Sequence, residues 1–338
     1  MNTDGFRLVP DDELPHPPDD ASNFNESVYM NAFDPRQRVG GWMRLGNRVN
    51  EGYAELSVCL YLPDGRVACQ FGRPPISSND SFEAGGLRYA VSEPFERLEM
   101  AYDGEVMVLE DPSILRDPKR MFETAPRADA SVRFAVRGVS PMHGGEPTTP
   151  EQERLMYYGM EFSRGHFNQH TAVDGTMRIG DEQWDLDAFG WRDHSWGPRY
   201  WQAIWAYRLF IANFGPDRAL MLLKNMLPDG SARRLGVLLV DGEYEEVTDL
   251  DVHTTWSDDQ QDPVAATLGV RTANRAVVIE GQVITMAPLR NRRKAGDEVL
   301  LSRVAEGFTE YSWDGRKGYG IMEYIERVED GVAVGHPL

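Results

Sequence analysis

The sequence contains little cysteine and few basic residues, and both scarcities narrow the range of functions. Only two cysteines occur in 338 residues, Cys59 and Cys69, which excludes thiolate metal clusters. The chain has 35 Lys and Arg against 54 Asp and Glu, and its formal net charge is −19. Because so acidic a surface repels phosphate backbones and anionic lipid headgroups, we expect no nucleic-acid partner and no docking on membranes.

Several recognisable segments are also missing. The first 20 residues have neither the basic region nor the apolar region of a signal peptide, and no apolar run is long enough to span a membrane. We therefore expect a cytoplasmic protein without membrane insertion. The sequence has no dinucleotide fingerprint, P-loop or cofactor lysine motif, so we expect no cofactor. It gives no direct sign of oligomeric state, and a homodimer stays open.

Short segments of alternating polarity, separated by Asp-Gly pairs, dominate the chain. In "YAELSVCLYL", Leu56, Val58 and Leu60 fall on one face of an extended strand. Asp-Gly tolerates the positive φ angles of tight hairpin turns, so these pairs predict antiparallel strands. Helices are scarce, and the best candidate is "TPEQERLMYYG", with Thr149 as its N-cap. The pattern predicts an all-β protein.

The amount of predicted strand exceeds what one eight-stranded barrel holds, which favours two tandem β-barrel domains. The most loop-like internal stretch is "GVSPMHGGEPTTPE", residues 138–151. We expect the boundary between Gly138 and Gly190, and assign residues 1–180 to an N-terminal domain and residues 181–338 to a C-terminal domain.

Large aromatic residues are concentrated in the middle of the chain. Five of the eight tryptophans lie between Trp184 and Trp205, and this region includes the stretch "GWRDHSWGPRYW", residues 190–201. Tryptophans of this kind usually fill a barrel interior, since they bury large areas. Trp196 fits that interpretation less well, because polar residues flank it closely.

The order Asp-His-Ser within this stretch suggests a catalytic triad, but strand geometry excludes one. If the stretch is extended, Arg192, His194 and Trp196 share one face, and Asp193 and Ser195 share the other. A nucleophilic relay needs side chains that converge within hydrogen-bond reach. No G-x-S-x-G elbow is present either, so we reject a serine hydrolase.

A metal site is the next alternative. His166 and His170 could share a face and, with His194, form a three-histidine site. The spacing matches no familiar ligand signature, and histidines on strands are more often hydrogen-bonded wall residues. We therefore expect no metal.

The central stretch, preceded by "HFNQHTAVDGTMRIG", resembles the central motif of the AttH / hydroxyneurosporene hydratase-like superfamily, in the bacterial branch that carries a Gln and a "RDHSWG-x-R" strand. The resemblance runs from Asn23 to Tyr324. The superfamily includes carotenoid hydratases, kievitone hydratase-like enzymes and Diels–Alderase-like cyclases. The resemblance implies two lipocalin-like (calycin-like) antiparallel β-barrel domains. It also implies that a hydrophobic small molecule is held within one barrel or between the two.

The resemblance also implies roles for individual residues. His194 and Trp196 match the His-x-Trp with which carotenoid hydratases assist protonation of an isoprenoid alkene, and Asp193 joins them as a catalytic candidate. The Tyr-x-Asp that carries the proton donor in those enzymes is absent from "RALMLLKNM", so the acid must be another group, with Asp193, Glu161 and Glu323 as candidates. The expected substrate-binding residues are Arg192, Arg199, Gln169, His170, Trp201, Trp205, Tyr207 and Glu323.

Two functions stay open. The first is a cofactor-independent lyase or isomerase of the hydratase, dehydratase or cyclase type, which acts by acid–base catalysis on an isoprenoid-like or polycyclic molecule. The second is a binding or carrier protein that holds a hydrophobic ligand without chemistry, because a barrel fold does not dictate a reaction. In that case His194, Arg192 and Gln169 form a structural hydrogen-bond network.

Overall fold

The computed structural model describes residues 2–3, 5–156, 163–199, 204–295 and 298–335. Most of these residues lie in β-strands. The strands are, in chain order, β1 (Asn2–Thr3), β2 (Phe6–Arg7), β3 (Phe24–Asp34), β4 (Val39–Arg48), β5 (Tyr53–Tyr61), β6 (Val67–Gly72), β7 (Phe82–Ala84), β8 (Leu87–Glu93), β9 (Arg97–Leu109), β10 (Arg127–Gly138), β11 (His143–Pro147), β12 (Gly165–Ile179), β13 (Glu182–Pro198), β14 (Ala206–Asn213), β15 (Arg218–Met226), β16 (Ala232–Val240), β17 (Glu243–Trp256), β18 (Pro263–Thr272), β19 (Ala276–Ala295), β20 (Glu298–Trp313), β21 (Arg316–Glu329) and β22 (Val332–Ala333).

Helical segments are short, as the sequence predicted. They are the α-helices α1 (Pro118–Thr124) and α2 (Pro150–Met156) and the 3-10 turns Pro10–Glu13, Val49–Glu51 and Pro112–Arg116. The predicted cap of α2 is present, because the Gln152 backbone N–H donates to the Thr149 hydroxyl at 3.4 Å. Within the part of the chain that the structure describes, no helix is both long and apolar enough to cross a membrane.

The chain divides into two compact units. The first comprises Met1–Pro63, Ala68–Val108 and Pro126–Ala203, and the second comprises Asp64–Val67, Leu109–Ala125 and Ile204–Leu338. The division differs from the boundary expected after residue 180. That position lies between β12 and β13, which pair antiparallel along their length and therefore belong to one sheet.

The first unit contains a closed circuit of hydrogen-bonded strands. The path runs β12–β13–β3–β4–β5–β6–β9, and β10 joins its two ends because it pairs with both β9 and β12. Leu56, Val58 and Leu60 on β5 are all in the apolar core of this unit, which confirms the alternation read from the sequence. Such closure removes exposed strand edges.

The second unit is also a barrel. Strands β14 to β22 follow one another in order, and β14 pairs with β21 to close eight of them into an antiparallel barrel. Tight turns join neighbouring strands at Asp-Gly pairs, where Asp241 and Asp314 adopt φ angles of 54° and 51°. The two-barrel, lipocalin-like all-β fold predicted from the sequence is confirmed.

Candidate active site

Residues 190–198 of the central stretch lie on β13 and present three side chains to the same neighbour. The ring of Phe167 lies 5.6 Å from the Arg192 guanidinium carbon, with centroids 5.2 Å from His194 and 6.2 Å from Trp196. His194 is paired in register with Val28, a residue of the first unit's core, so this face points into the first barrel. The predicted shared face is confirmed.

Asp193 points to the opposite side of β13. Its carboxylate lies 3.8 Å from Nε2 of His166, and both side chains are partly exposed. Ser195 shares that side and accepts a hydrogen bond of 2.6 Å from the Arg199 guanidinium. The Asp-His-Ser order therefore forms no relay, as strand alternation predicted.

The N-terminal segment, residues 8–16, packs against the face of β13 that carries Arg192, His194 and Trp196. Leu8 packs in one small apolar cluster with Phe167 and Trp196. Glu13, at the end of the first 3-10 turn, pairs with Arg192 through two charged hydrogen bonds of 2.7 and 2.8 Å. Nothing in the irregular, acidic character of this segment indicated that it would enter the site.

Arg192 is fully occupied by partners. Besides Glu13, its Nε donates to the Gln169 side-chain oxygen at 2.9 Å, and Nη1 donates to the Tyr89 hydroxyl at 3.3 Å. Gln169 in turn donates to the backbone oxygens of Phe95 and Ser140 at 2.9 and 3.0 Å. Arg192 and Gln169 therefore form one polar network of directional hydrogen bonds, in which the side-chain bonds of Arg192 are buried and the bonds of Gln169 to the backbone are partly buried.

Glu26, on β3, is the centre of the site. One carboxylate oxygen, Oε1, lies 2.9 Å from Nε2 of His194 and 2.7 Å from Nδ1 of His16. Oε2 accepts the His16 backbone N–H at 2.8 Å and the Asn79 side-chain amide at 2.5 Å. Both Glu26 and His194 are fully buried. Two imidazoles therefore share one carboxylate inside the barrel.

The electrostatics of this cluster favour the charged forms of Glu26 and His16. Burial opposes ionisation of Glu26, but hydrogen bonds from His16 and His194 outweigh it, so the pKa of Glu26 is lowered. Burial likewise opposes protonation of His16, but the hydrogen bond and charge of Glu26, helped by Asp12, raise the pKa of His16. A carboxylate held beside imidazoles supports proton transfer through the imidazole.

Aromatic rings enclose the two histidines. His16 stacks on Trp196 with ring centroids 4.0 Å apart and an interplanar angle of 13°. The edges of Phe82 and Phe167 approach His194, with centroid distances of 5.3 and 5.2 Å. Among the described residues, Nδ1 of His194 has no hydrogen-bond partner. Glu26 therefore holds one ring nitrogen of His194, while the other is buried beside aromatic rings.

The three histidines considered as metal ligands, His166, His170 and His194, do not lie together. The strand order places His166 on the far side of β13, and the ring of His170 packs against Trp191 at 4.5 Å, so neither joins His194. The group with ligand atoms close together is His16, Glu26 and His194, all within 4.8 Å of one another. Since the oxygens of Glu26 already accept several N–H groups, this set fits shared protons better than a cation.

The structure describes two of the three acids expected from the sequence, Asp193 and Glu323. Asp193 lies on the wrong side of β13, and Glu323 lies on β21 in the second unit, beside Leu209 of β14. Glu161 is outside the described residues. The carboxylate within hydrogen-bond reach of His194 is Glu26, which the sequence did not indicate. In "NFNESVYMNAF" it occupies the core-facing position in line with Val28, and this charged residue on an apolar face was the available signal.

The remaining expected binding residues belong to the second unit or lie outside the described residues. Trp205 and Tyr207 belong to the second unit, where the Arg327 guanidinium lies 5.0 Å from the centre of the Trp205 ring. Tyr207 is on β14, in register with Ile325. Trp201 lies outside the described residues. Their assignment to substrate binding stays a prediction.

Solved structures share this architecture. A putative AttH from Nitrosomonas europaea aligns with a TM-score of 0.59 and 14% identity, covering 98% of this chain and 99% of that one. CghA aligns with a TM-score of 0.52 and 14% identity, covering 99% and 98%. Kievitone hydratase from Nectria haematococca aligns with a TM-score of 0.50 and 8% identity, covering 88% and 87%. These neighbours confirm the fold predicted from the sequence.

No curated protein matches the chain. One family model does, over residues 9–328, a range that includes Glu13, His16 and the central stretch. The chain belongs to the family described as Domain of unknown function (DUF7064).

Proposed function

We propose that this protein is a cofactor-independent lyase or isomerase that acts on a hydrophobic small molecule, with His194 as its general acid and base. The observation that carries the proposal is the buried Glu26–His194 pair. A carboxylate that accepts from one imidazole nitrogen fixes the tautomer and the orientation of the ring, which is an arrangement that acid–base catalysis uses.

The surroundings suit an apolar substrate and a cationic intermediate. The faces and edges of Phe82, Phe167 and Trp196 surround the imidazoles, and aromatic rings stabilise positive charge in a dry site. The kievitone hydratase among the structural neighbours is a hydratase by name, which supports a hydro-lyase at the level of the fold. Isoprenoid-like or polycyclic alkenes are the substrate class that fits both observations.

The proposed hydration proceeds in two steps. His194 in its protonated form transfers a proton to one alkene carbon, which leaves a carbocation at the other carbon. A water oxygen bonds to that carbon, and the proton that the water loses returns to His194. Glu26 remains ionised and holds the ring throughout, and the reverse sequence is a dehydration.

Isotope incorporation tests the proposal on a substrate class and does not require the natural substrate itself. The protein is incubated in D₂O with a panel of hydrophobic trisubstituted alkenes, and deuterium in recovered alkene and alcohol is measured by mass spectrometry. We expect enzyme-dependent deuterium incorporation that His194→Gln lowers by about 10²- to 10⁴-fold. His253→Gln, at an exposed position on β17, is the matched control and should leave the rate unchanged.

A carrier protein would give a different result. Arg192 and Gln169 already form a satisfied buried network, which is what a purely structural interior would contain. If the wild-type protein binds these alkenes by tryptophan fluorescence but exchanges no deuterium, the binding function is correct and the lyase is excluded. Circular dichroism of His194→Gln distinguishes lost chemistry from lost folding.

A further inference from the structure

The inside of the second barrel carries a row of positive charges on three adjacent strands. Arg208 on β14 is in register with Lys224 on β15, and Lys224 is in register with Arg234 on β16. Residues directly opposite one another in an antiparallel sheet project from the same face. Phe210 and Leu222, two residues away on the same strands, belong to the core of this barrel, so the row points inward.

Like charges placed directly opposite one another destabilise a sheet, so the partners of each charge matter. Arg208 has a charged partner, since it donates to the Glu326 carboxylate at 2.5 Å and lies 4.2 Å from the Tyr324 ring centre. Glu326 is shared with Arg303, which also donates to it. One buried carboxylate therefore serves two buried guanidinium groups.

The other two charges of the row have much less compensation. Among the described residues, the Lys224 ammonium has no hydrogen-bond or ion-pair partner. Arg234 donates through Nε to the Leu250 backbone oxygen at 3.0 Å, and the nearest carboxylate oxygen, on half-exposed Asp249, is 3.8 Å from that same nitrogen. The terminal nitrogens of Arg234 and the whole ammonium of Lys224 are thus available as donors.

The environment of Lys224 shows the cost of this arrangement. Burial and the positive charges of Arg234 and Arg208 lower the pKa of Lys224, and the charge of Asp251 opposes the shift only in part. Lys224 is half-buried and Arg234 keeps 39% of its side chain exposed, so a small solute can reach both. This local excess of positive charge contrasts with the formal net charge of −19 of the whole chain.

We propose that Lys224 and Arg234 form a binding site for an oxyanion, either phosphate or the carboxylate of a small molecule. An ammonium and a planar guanidinium on neighbouring strands supply charged donors from two directions, which is how proteins hold such groups. The bound anion would relieve the repulsion along the row. The site lies within the second barrel and is independent of the chemistry proposed for His194.

Titration of the full-length protein with inorganic phosphate, and separately with acetate, tests the site by isothermal calorimetry at low ionic strength. Potassium chloride at matched ionic strength corrects for general screening. We expect binding of at least one of the two anions, weakened about tenfold by Lys224→Gln and by Arg234→Gln, since each removes a charged hydrogen bond. Comparison of the two anions shows whether phosphate or carboxylate is preferred.

Two controls keep the experiment decisive. Lys119→Gln, on the exposed side of α1, removes the same charge elsewhere and should bind the anion like the wild type. Lys224→Arg keeps the charge and should retain binding, and circular dichroism of Lys224→Gln should match the wild type, which together show that Lys224→Gln has lost a donor and not its fold. Equal affinity in Lys224→Gln and wild type, an equal loss in Lys119→Gln, or no binding beyond that of chloride would each overturn the proposal.

Discussion

The buried pair of Arg192 and Glu13 should be worth far more to stability than an exposed pair in the same part of the chain. Both partners are essentially inaccessible to solvent, at 1% and 0% of their side chains. Glu13→Ala removes the two guanidinium bonds of 2.7 and 2.8 Å and a third bond, of 2.8 Å, from the Phe95 backbone N–H. Among the described residues, Arg192 keeps the neutral partners Gln169, Tyr89 and Met142 for its charge.

The expected loss follows from this uncompensated charge. Breaking a buried pair by removing one partner costs about 3–5 kcal/mol, against a total stability of about 5–15 kcal/mol for a typical domain. Glu146 supplies the comparison, because it pairs with Arg7 near the same segment but keeps 36% of its side chain exposed. For Glu146→Ala we expect a loss of about 0–1 kcal/mol.

Urea unfolding followed by tryptophan fluorescence measures both variants, with the transition of each unit fitted separately because two units need not unfold together. The double substitution Glu13→Leu with Arg192→Met removes both charges and should recover much of the stability. A loss from Glu13→Ala no larger than that from Glu146→Ala, or a double variant less stable than Glu13→Ala alone, would contradict a large cost of the unpaired Arg192 charge.

Three further results are expected. The pKa of His16 is raised in the folded protein, so protonated His16 stabilises the fold. This stabilisation is fully present below the ordinary pKa of 6.5 and is lost as the pH rises through the raised value, so His16→Gln should flatten the fall in melting temperature on the alkaline side. Gly190→Ala would place its Cβ 1.8 Å from a backbone oxygen of β3 and should cost about 1–3 kcal/mol in urea unfolding, whereas Gly72→Ala, with no atom nearer than 3.9 Å, should be tolerated. Cys59 and Cys69 are buried, and burial raises the pKa of Cys69 to about 12, so Ellman's reagent should modify neither until the protein unfolds, and reaction in the native state would contradict their placement.

Local patterns in the sequence carried the fold and one face of the site. Two-residue alternation and Asp-Gly pairs depend only on neighbours along the chain, and they predicted strands, turns and the shared face of Arg192, His194 and Trp196 correctly. The division into units was harder to predict, because β12 and β13 form a hairpin whose pairing decides the unit to which each belongs.

Partners that are distant in sequence could not be predicted in this way. Glu26 is 168 positions from His194, and Glu13 is 179 positions from Arg192. Alternation shows the direction in which a side chain points but not which strand or segment faces it. The acids considered were near the motif or near the end of the chain, and the acid that the fold brings to His194 lies on β3, whose register with β13 emerges only from the assembled sheet.

The N-terminal segment joins the stability of the first barrel to its chemistry. Glu13 pairs with Arg192, and His16 shares Glu26 with His194, so one segment meets two positions that project from the same face of β13. Removing the segment would leave a buried guanidinium and a buried carboxylate short of partners, which a folded interior tolerates poorly. The polar residues of this interior therefore have a structural role whether or not the protein is an enzyme. A catalytic role is supported by one further feature, the ring of His194, which a carboxylate orients at one nitrogen only. Substitution of His194, more than of Arg192 or Glu13, therefore distinguishes an enzyme from a carrier protein.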